Sequence, residues 1–156
     1  TEGATPLFRA AMSGDLEIIN LLLQAGADPY LQTAENAEGM FGVVSTTNLS
    51  NVVMAAAGLS WRSSISRGRV SDAITTLELF LDGYDFDINA ANKSGATAIH
   101  GAVMRGSPEI VEFLAERGAD LTGLITEISD PDRKSVEWGK RENNSGPRRY
   151  NTEKSR

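Results

Sequence analysis

The run Thr5-Pro6-Leu7-Phe8-Arg9-Ala10-Ala11, continued by Gly14, Leu16-Glu17-Ile18-Ile19-Asn20-Leu21-Leu22-Leu23 and Gly26-Ala27-Asp28, decides the architecture. Thr5 is a helix-capping residue, and Pro6 suits the first helical position, where no N–H is needed. Small Ala10 and Ala11 let a neighbouring helix approach closely. Leu16, Ile19, Leu22 and Leu23 recur at helical spacing and form one apolar face. Gly26 stands where that helix must stop in a left-handed turn. The run predicts two short helices followed by an exposed tip.

The pattern returns. Gly95-Ala96-Thr97-Ala98-Ile99-His100-Gly101-Ala102 leads to Gly106, Glu109-Ile110-Val111-Glu112-Phe113-Leu114 and Gly118-Ala119-Asp120. A weaker middle copy reads Asn51-Val52-Val53-Met54-Ala55-Ala56-Ala57, then Leu77-Glu78-Leu79-Phe80-Leu81 and Gly83. Ser107 and Pro108 repeat the cap-and-proline start, and Gly83 and Gly118 repeat the left-handed stop. Thr5, Asn51 and Thr97 are equivalent, at spacings of 46 and 46 residues. Helices are expected near 5–12, 16–25, 51–58, 71–82, 97–104 and 108–117. One helix pair cannot bury its apolar face alone, so such units are stable only as a stacked array.

These residues resemble the ankyrin family, whose signature is Thr-Pro-Leu-His-x-Ala-Ala, a central Gly, a Leu-rich second helix and Gly-Ala-Asp. The resemblance implies an all-α solenoid of stacked helix-turn-helix units with projecting turn tips. The family repeat is about 33 residues long, so each interval carries about thirteen extra. We place repeats at about 3–30, 49–89 and 93–122, within an array spanning 1–124. The extra residues fall at 31–50 and at 59–70. The middle copy departs from the pattern: Asn51-Val52 replaces Thr-Pro, and Tyr84-Asp85-Phe86-Asp87 expands the turn. Met54-Ala55-Ala56-Ala57-Gly58, Trp61-Arg62 and a long loop resemble a variant common among bacterial ankyrin proteins.

Residues 125–156 read as a polar, disordered tail. The bases GAT CGG AAG AGC GTC would encode Asp132-Arg133-Lys134-Ser135-Val136 and are similar to a common sequencing adaptor. The chain from about Asp132 is therefore expected to be read-through of artificial DNA, with a natural basic tail as the alternative. The chain starts at Thr1 without methionine, and Thr5 already lies inside a motif, so the start reads as cut. Localisation stays open, with cytoplasmic as the default.

Composition narrows the function. Cysteine is absent, which removes disulfides and thiolate metal sites. No run of eighteen apolar residues occurs, so no membrane span is expected. Residues 1–131 hold seven Lys or Arg against seventeen Asp or Glu, while 132–156 hold eight against four. An acidic body argues against a nucleic-acid track, which needs clustered cations.

Catalysis finds no purchase. His100 is the sole histidine, and it falls at the signature His, where the resemblance implies a structural hydrogen bond to backbone. No partner exists for Cys–His chemistry. Asp82, Asp85 and Asp87 surround Gly83, but the spacing fits no calcium loop, and a solvated turn tip is expected. No phosphate loop of the Gly-x-x-x-x-Gly-Lys type is present. The loop from Trp61 to Arg69 is basic and reads first as a connector. Asn48-Leu49-Ser50 matches a glycosylation acceptor, which matters only in a secreted eukaryotic chain. Neither a cofactor nor a metal is expected.

Ankyrin arrays bind partner proteins through turn tips and the exposed side of their first helices, which line a concave groove. Carried over residue by residue, that implies Ala4, Met12, Ser13 and Ala25 in the first copy. In the third copy it implies Lys93, Ser94, Ala96, Met104, Arg105 and Arg117. Tyr84 and Phe86 extend the middle turn as an aromatic pair suited to anchor a partner. Met12 and Met104, at matching positions, would make an adaptable apolar spot. A protein-binding module follows; the rival is the regulatory or targeting arm of a larger enzyme whose catalytic domain lies elsewhere.

Overall fold

The computed structural model describes residues 3–34, 49–59 and 68–122. The expected tail, the basic loop around Trp61 and most of the 31–50 insertion lie outside the described residues. Among the described residues there are six helices and no strand: α1 (Pro6–Ser13), α2 (Leu16–Gln24), α3 (Val52–Ala57), α4 (Val70–Gly83), α5 (Ala98–Arg105) and α6 (Pro108–Glu116). The all-helical repeat architecture expected from sequence is what the chain adopts.

Local chemistry sets the helix starts. The Thr5 hydroxyl accepts from the Phe8 N–H at 3.1 Å, with Pro6 at the first helical position. Asn51 takes the same place in the degenerate middle copy, its Oδ1 accepting from the Met54 N–H at 3.0 Å. Asp15 caps α2 through the Ile18 N–H at 3.2 Å. Each such cap is worth about 1 kcal/mol. Ser107 sits at the cap position ahead of Pro108, but its hydroxyl donates to Glu109 Oε2 at 2.9 Å instead of serving the backbone.

Helix ends show one departure from the sequence reading. Gly26 and Gly118 have φ of +89° and +87°, the left-handed stops expected. Gly83 does not: it is the last residue of α4, which ends at extended Tyr84 with φ −139°. The two additional residues of this turn let the chain leave the helix extended, with Tyr84 and Phe86 both packed against the core.

The first helices form one layer. α3 lies between α1 and α5, and α4 packs on α3, α1 and α6. Phe8, Leu7, Ile19, Leu77, Phe80, Ile110 and Leu114 are essentially inaccessible and belong to one cluster running through all three helix pairs. Burying each of these side chains contributes about 1.5–3 kcal/mol. Ala11 and Ala57 are both 0% exposed, whereas equivalent Val103 is 65% exposed. The first two lie under a following helix pair; no described pair follows Val103.

The junctions between repeats share a stem. In the second, the Asn92 N–H donates to Ala96 O at 2.9 Å and the Ala96 N–H returns to Asn92 Oδ1 at 2.9 Å. In the first, the Thr33 N–H donates to Ser50 O at 2.9 Å and the Ser50 N–H returns to Thr33 Oγ1 at 3.0 Å. The partners are four positions apart in one case and seventeen in the other. The 31–50 insertion therefore leaves from a turn whose base is conventional. Asn92 Nδ2 also donates to Ser50 Oγ at 3.0 Å, tying the stems together inside the protein.

Candidate functional site

The residues picked from sequence do not form one patch. An eight-residue helix such as α5 is about 12 Å long. Met12, Ser13, Met104 and Arg105 lie at the far ends of α1 and α5. Ala25, Tyr84, Phe86, Lys93, Ser94, Ala96 and Arg117 lie at the opposite end, with the turn tips, and half-buried Ala4 belongs with that end too.

At the far end several expectations fail. Met12 is only 8% exposed and belongs to the core, while Met104 is 57% exposed, so the matched pair forms no shared spot. The cause is position in the stack: α3 and α4 pack against α1. Arg105 is half-buried and its guanidinium donates to Gly68 O at 2.9 Å. Burial lowers its pKa from the ordinary arginine value. It pins the base of the 59–70 insertion, which makes it a structural residue. Ser13 is exposed, but all of α3 is buried, so the first helices present no continuous exposed groove.

At the tip end the middle turn organises the surface. Tyr84 and Phe86 are half-buried, not an exposed pair. Their rings lie 5.9 Å and 6.1 Å from that of core Phe80. The exposed aromatic is Tyr30, which sequence reasoning does not single out. It is 51% exposed, with its ring 5.0 Å from Phe86 and 6.3 Å from Tyr84. Its hydroxyl accepts from the Asp85 N–H at 3.3 Å. The first tip is thereby joined to the second by a four-ring cluster. Aromatic pairs of this geometry contribute about 0.5–1.5 kcal/mol beyond area burial. The available signal is Asp28-Pro29-Tyr30, an aromatic two residues past Gly-Ala-Asp.

Lys93 is exposed at its turn, Ser94 is half-buried with N–H and hydroxyl both on Asn92 Oδ1, and Ala96 is buried against Met54 and Leu59. Ala96 is thus a packing residue, not a contact residue. Ala25 is exposed. Arg117 lies 3.6 Å from Asp82 and 4.0 Å from Glu78, its guanidinium 3.8 Å above the Phe113 ring.

The acidic tip has an internal use. Asp28, Asp87 and Asp120 each accept from the N–H two residues on, at Tyr30, Asn89 and Thr122, at 2.9, 2.9 and 2.8 Å. Asp87 is therefore the equivalent of the Gly-Ala-Asp aspartate, displaced by the longer turn. Asn89 then brackets the third tip, accepting from the Asp120 N–H at 2.7 Å and donating to Gly118 O at 3.2 Å. The Thr122 hydroxyl, then its N–H, hold the Asp120 carboxyl below the usual range. His100 Nδ1 accepts from the Thr97 N–H at 3.1 Å and lies 3.0 Å from Thr97 Oγ1, closing the start of α5. It serves the cap of its own helix.

Comparison with known proteins agrees with this geometry. A family model described as ankyrin repeat matches residues 2–34, and one described as ankyrin repeats (many copies) matches residues 65–115. A palmitoyltransferase of Lachancea kluyveri is 24% identical over 130 residues, covering 76% of this chain and 18% of the relative. The B-cell lymphoma 3 protein of Homo sapiens is 30% identical over 138 residues, covering 79% of this chain and 30% of the relative. An ankyrin-repeat protein of fowlpox virus is 27% identical over 101 residues, covering 64% of this chain and 19% of the relative. The chain thus spans less than a third of each of these relatives.

Proposed function

The chain belongs to the ankyrin-repeat family, whose repeats generally mediate protein–protein interaction, and from that premise we propose that it docks a partner protein along its turn-tip edge. The single observation carrying this is the ring cluster of Tyr30, Tyr84, Phe86 and Phe80, which presents half-exposed Tyr30 on a base fixed to the core. A rigid aromatic costs little conformational entropy to immobilise, which suits an anchor. Ala25 and Lys93 flank it as exposed neighbours at the same end. The first-helix side is less suited, because α3 contributes no exposed residue there.

The test begins with a photo-crosslinking side chain placed at Ala25 or Lys93, and at Arg9 or Glu112 as off-face controls. A partner captured only from the tip positions is then titrated against the Tyr30→Ala protein. We expect affinity to fall at least about tenfold, the size of an aromatic anchor worth more than about 1.4 kcal/mol, with unchanged helix content. Capture equal from Arg9 and Glu112, or unaltered affinity of Tyr30→Ala, would overturn the assignment.

An enzyme-borne arm is the second reading, favoured by the match to the palmitoyltransferase. Ankyrin repeats are typically non-catalytic, and among the described residues no His, Asp or Glu cluster suited to a metal occurs. The reading of the whole gene separates the two, since an arm requires a catalytic domain on the same chain.

A further inference from the structure

Charge is sorted between the two helix layers. The second helices α2, α4 and α6 carry Glu17, Asp72, Glu78, Asp82, Glu109, Glu112 and Glu116 and no lysine or arginine. The first helices α1, α3 and α5 carry Arg9 and Arg105 and no carboxylate. Where α4 and α6 end beside the middle turn there is an open cleft of about 380 Å³ lined by Leu81, Asp82, Phe86, Asp87, Ile88 and Arg117. Leu81, Phe86 and Ile88 give it apolar lining, Asp82 and Asp87 contribute carboxylates, and Arg117 contributes a guanidinium. The carbonyl ends of both helices point to this region, adding partial negative charge.

The electrostatics of the cleft favour a cation. Arg117 is already drawn onto Asp82 and Glu78 and stacked on Phe113. Asp87 has one oxygen on the Asn89 N–H, and no described cation lies within 4.0 Å of it. A Lys or Arg side chain matches the whole surface: its alkyl stem lies along Leu81, Phe86 and Ile88 while its head reaches Asp87 and Asp82. The uniformly acidic second layer steers a basic segment toward the cleft from a distance, an effect that salt screens.

Building on the tip-edge docking assigned above, we propose that this cleft receives an arginine or lysine side chain from a basic segment of the partner protein. The cleft shares Phe86 with the aromatic cluster, so one bound segment reaches both.

The probe is a fluorescein-labelled peptide with two arginines spaced by leucine and serine, and its twin with glutamines. Anisotropy is measured at low and at physiological salt. The arginine peptide should bind at least about tenfold more tightly than its twin, the equivalent of about 1.4 kcal/mol. Asp82→Asn with Asp87→Asn should weaken it by a similar factor; asparagine at 87 retains the turn acceptor. The charge-matched control, Glu17→Gln with Glu112→Gln, should stay within about twofold of the parent, as expected for distant rim charges. Absence of binding, equal binding of the two peptides, or equal weakening by both double variants would overturn the cleft. Because the tip-edge reading stands on Tyr30, a captured partner sensitive to Tyr30→Ala but indifferent to Asp82→Asn with Asp87→Asn would sink the cleft alone.

Discussion

Replacing Gly101 by alanine sets two effects of comparable size against each other, and the structure decides the sign. Alanine is the better helix former by about 1 kcal/mol in a helix interior, and Gly101 lies inside α5. A Cβ there would stand 2.6 Å from Leu59 N, 3.2 Å from Met54 O and 3.3 Å from the Gly58 carbonyl carbon. All three neighbours are backbone at the end of α3, and the Leu59 N–H is held to Met54 O at 2.9 Å. No rotamer change relieves the contact; α3 and α5 must separate. Overpacking of this kind costs about 1–3 kcal/mol, so Gly101→Ala should lose about 1 kcal/mol net. Gly83→Ala supplies the control. That glycine also lies in a helix and has no positive φ, and a methyl group added to it would meet nothing within 4 Å. It should gain about 0.4–1 kcal/mol. Urea unfolding of the whole chain followed by far-ultraviolet circular dichroism reads both. A Gly101→Ala protein as stable as its parent, or a Gly83→Ala protein clearly weaker, would refute the close approach of α3 and α5 and the open end of α4.

Three further outcomes are expected. Phe80→Ala empties the centre of the four-ring cluster and should cost about 3–5 kcal/mol, read as a lower urea midpoint together with loss of the near-ultraviolet signal of Tyr84. Thr33→Val leaves the Ser50 N–H without its acceptor inside the protein and should cost about 1–3 kcal/mol, whereas Thr33→Ser should cost less than about 1 kcal/mol because the hydroxyl persists. Acid should weaken the fold through three carboxylates whose folded pKa values lie below the ordinary range: Asp72, hydrogen-bonded by the Arg69 guanidinium; Glu109, held by its own backbone N–H and then the Ser107 hydroxyl; and Asp120, held by Thr122. With folded values depressed, their contribution is complete above the unfolded values near about 4 and fades as pH drops through the folded ones. Carbon-detected carboxyl titration should find all three midpoints below those of free side chains, and Thr122→Val should move that of Asp120 upward.

Much of the architecture was legible because its determinants are local. Thr5, Pro6 and Asp15 act within a few residues of themselves, and apolar spacing along Leu16–Leu23 needs no knowledge of neighbours. Even Asn51, unlike the family residue, caps by the same chemistry. The surface was less legible because exposure is a property of the stack. Met12 and Met104 share a position in the repeat and differ in burial, as do Ala57 and Val103. Arg105 reads as a surface cation until the carbonyl of Gly68 is placed beside it. Tyr30 acquires its meaning only when Phe86 and Asp85, more than fifty residues later, are folded against it.

The paired bonds between Thr33 and Ser50 behave like a buckle. Once it is fastened, lengthening the span between its two halves should cost the array little, because doubling such a span adds only about 0.6 kcal/mol of closure entropy. Changes of length at 35–48 are therefore expected to be tolerated. A foreign sequence exchanged there should leave the register of every later helix where it is.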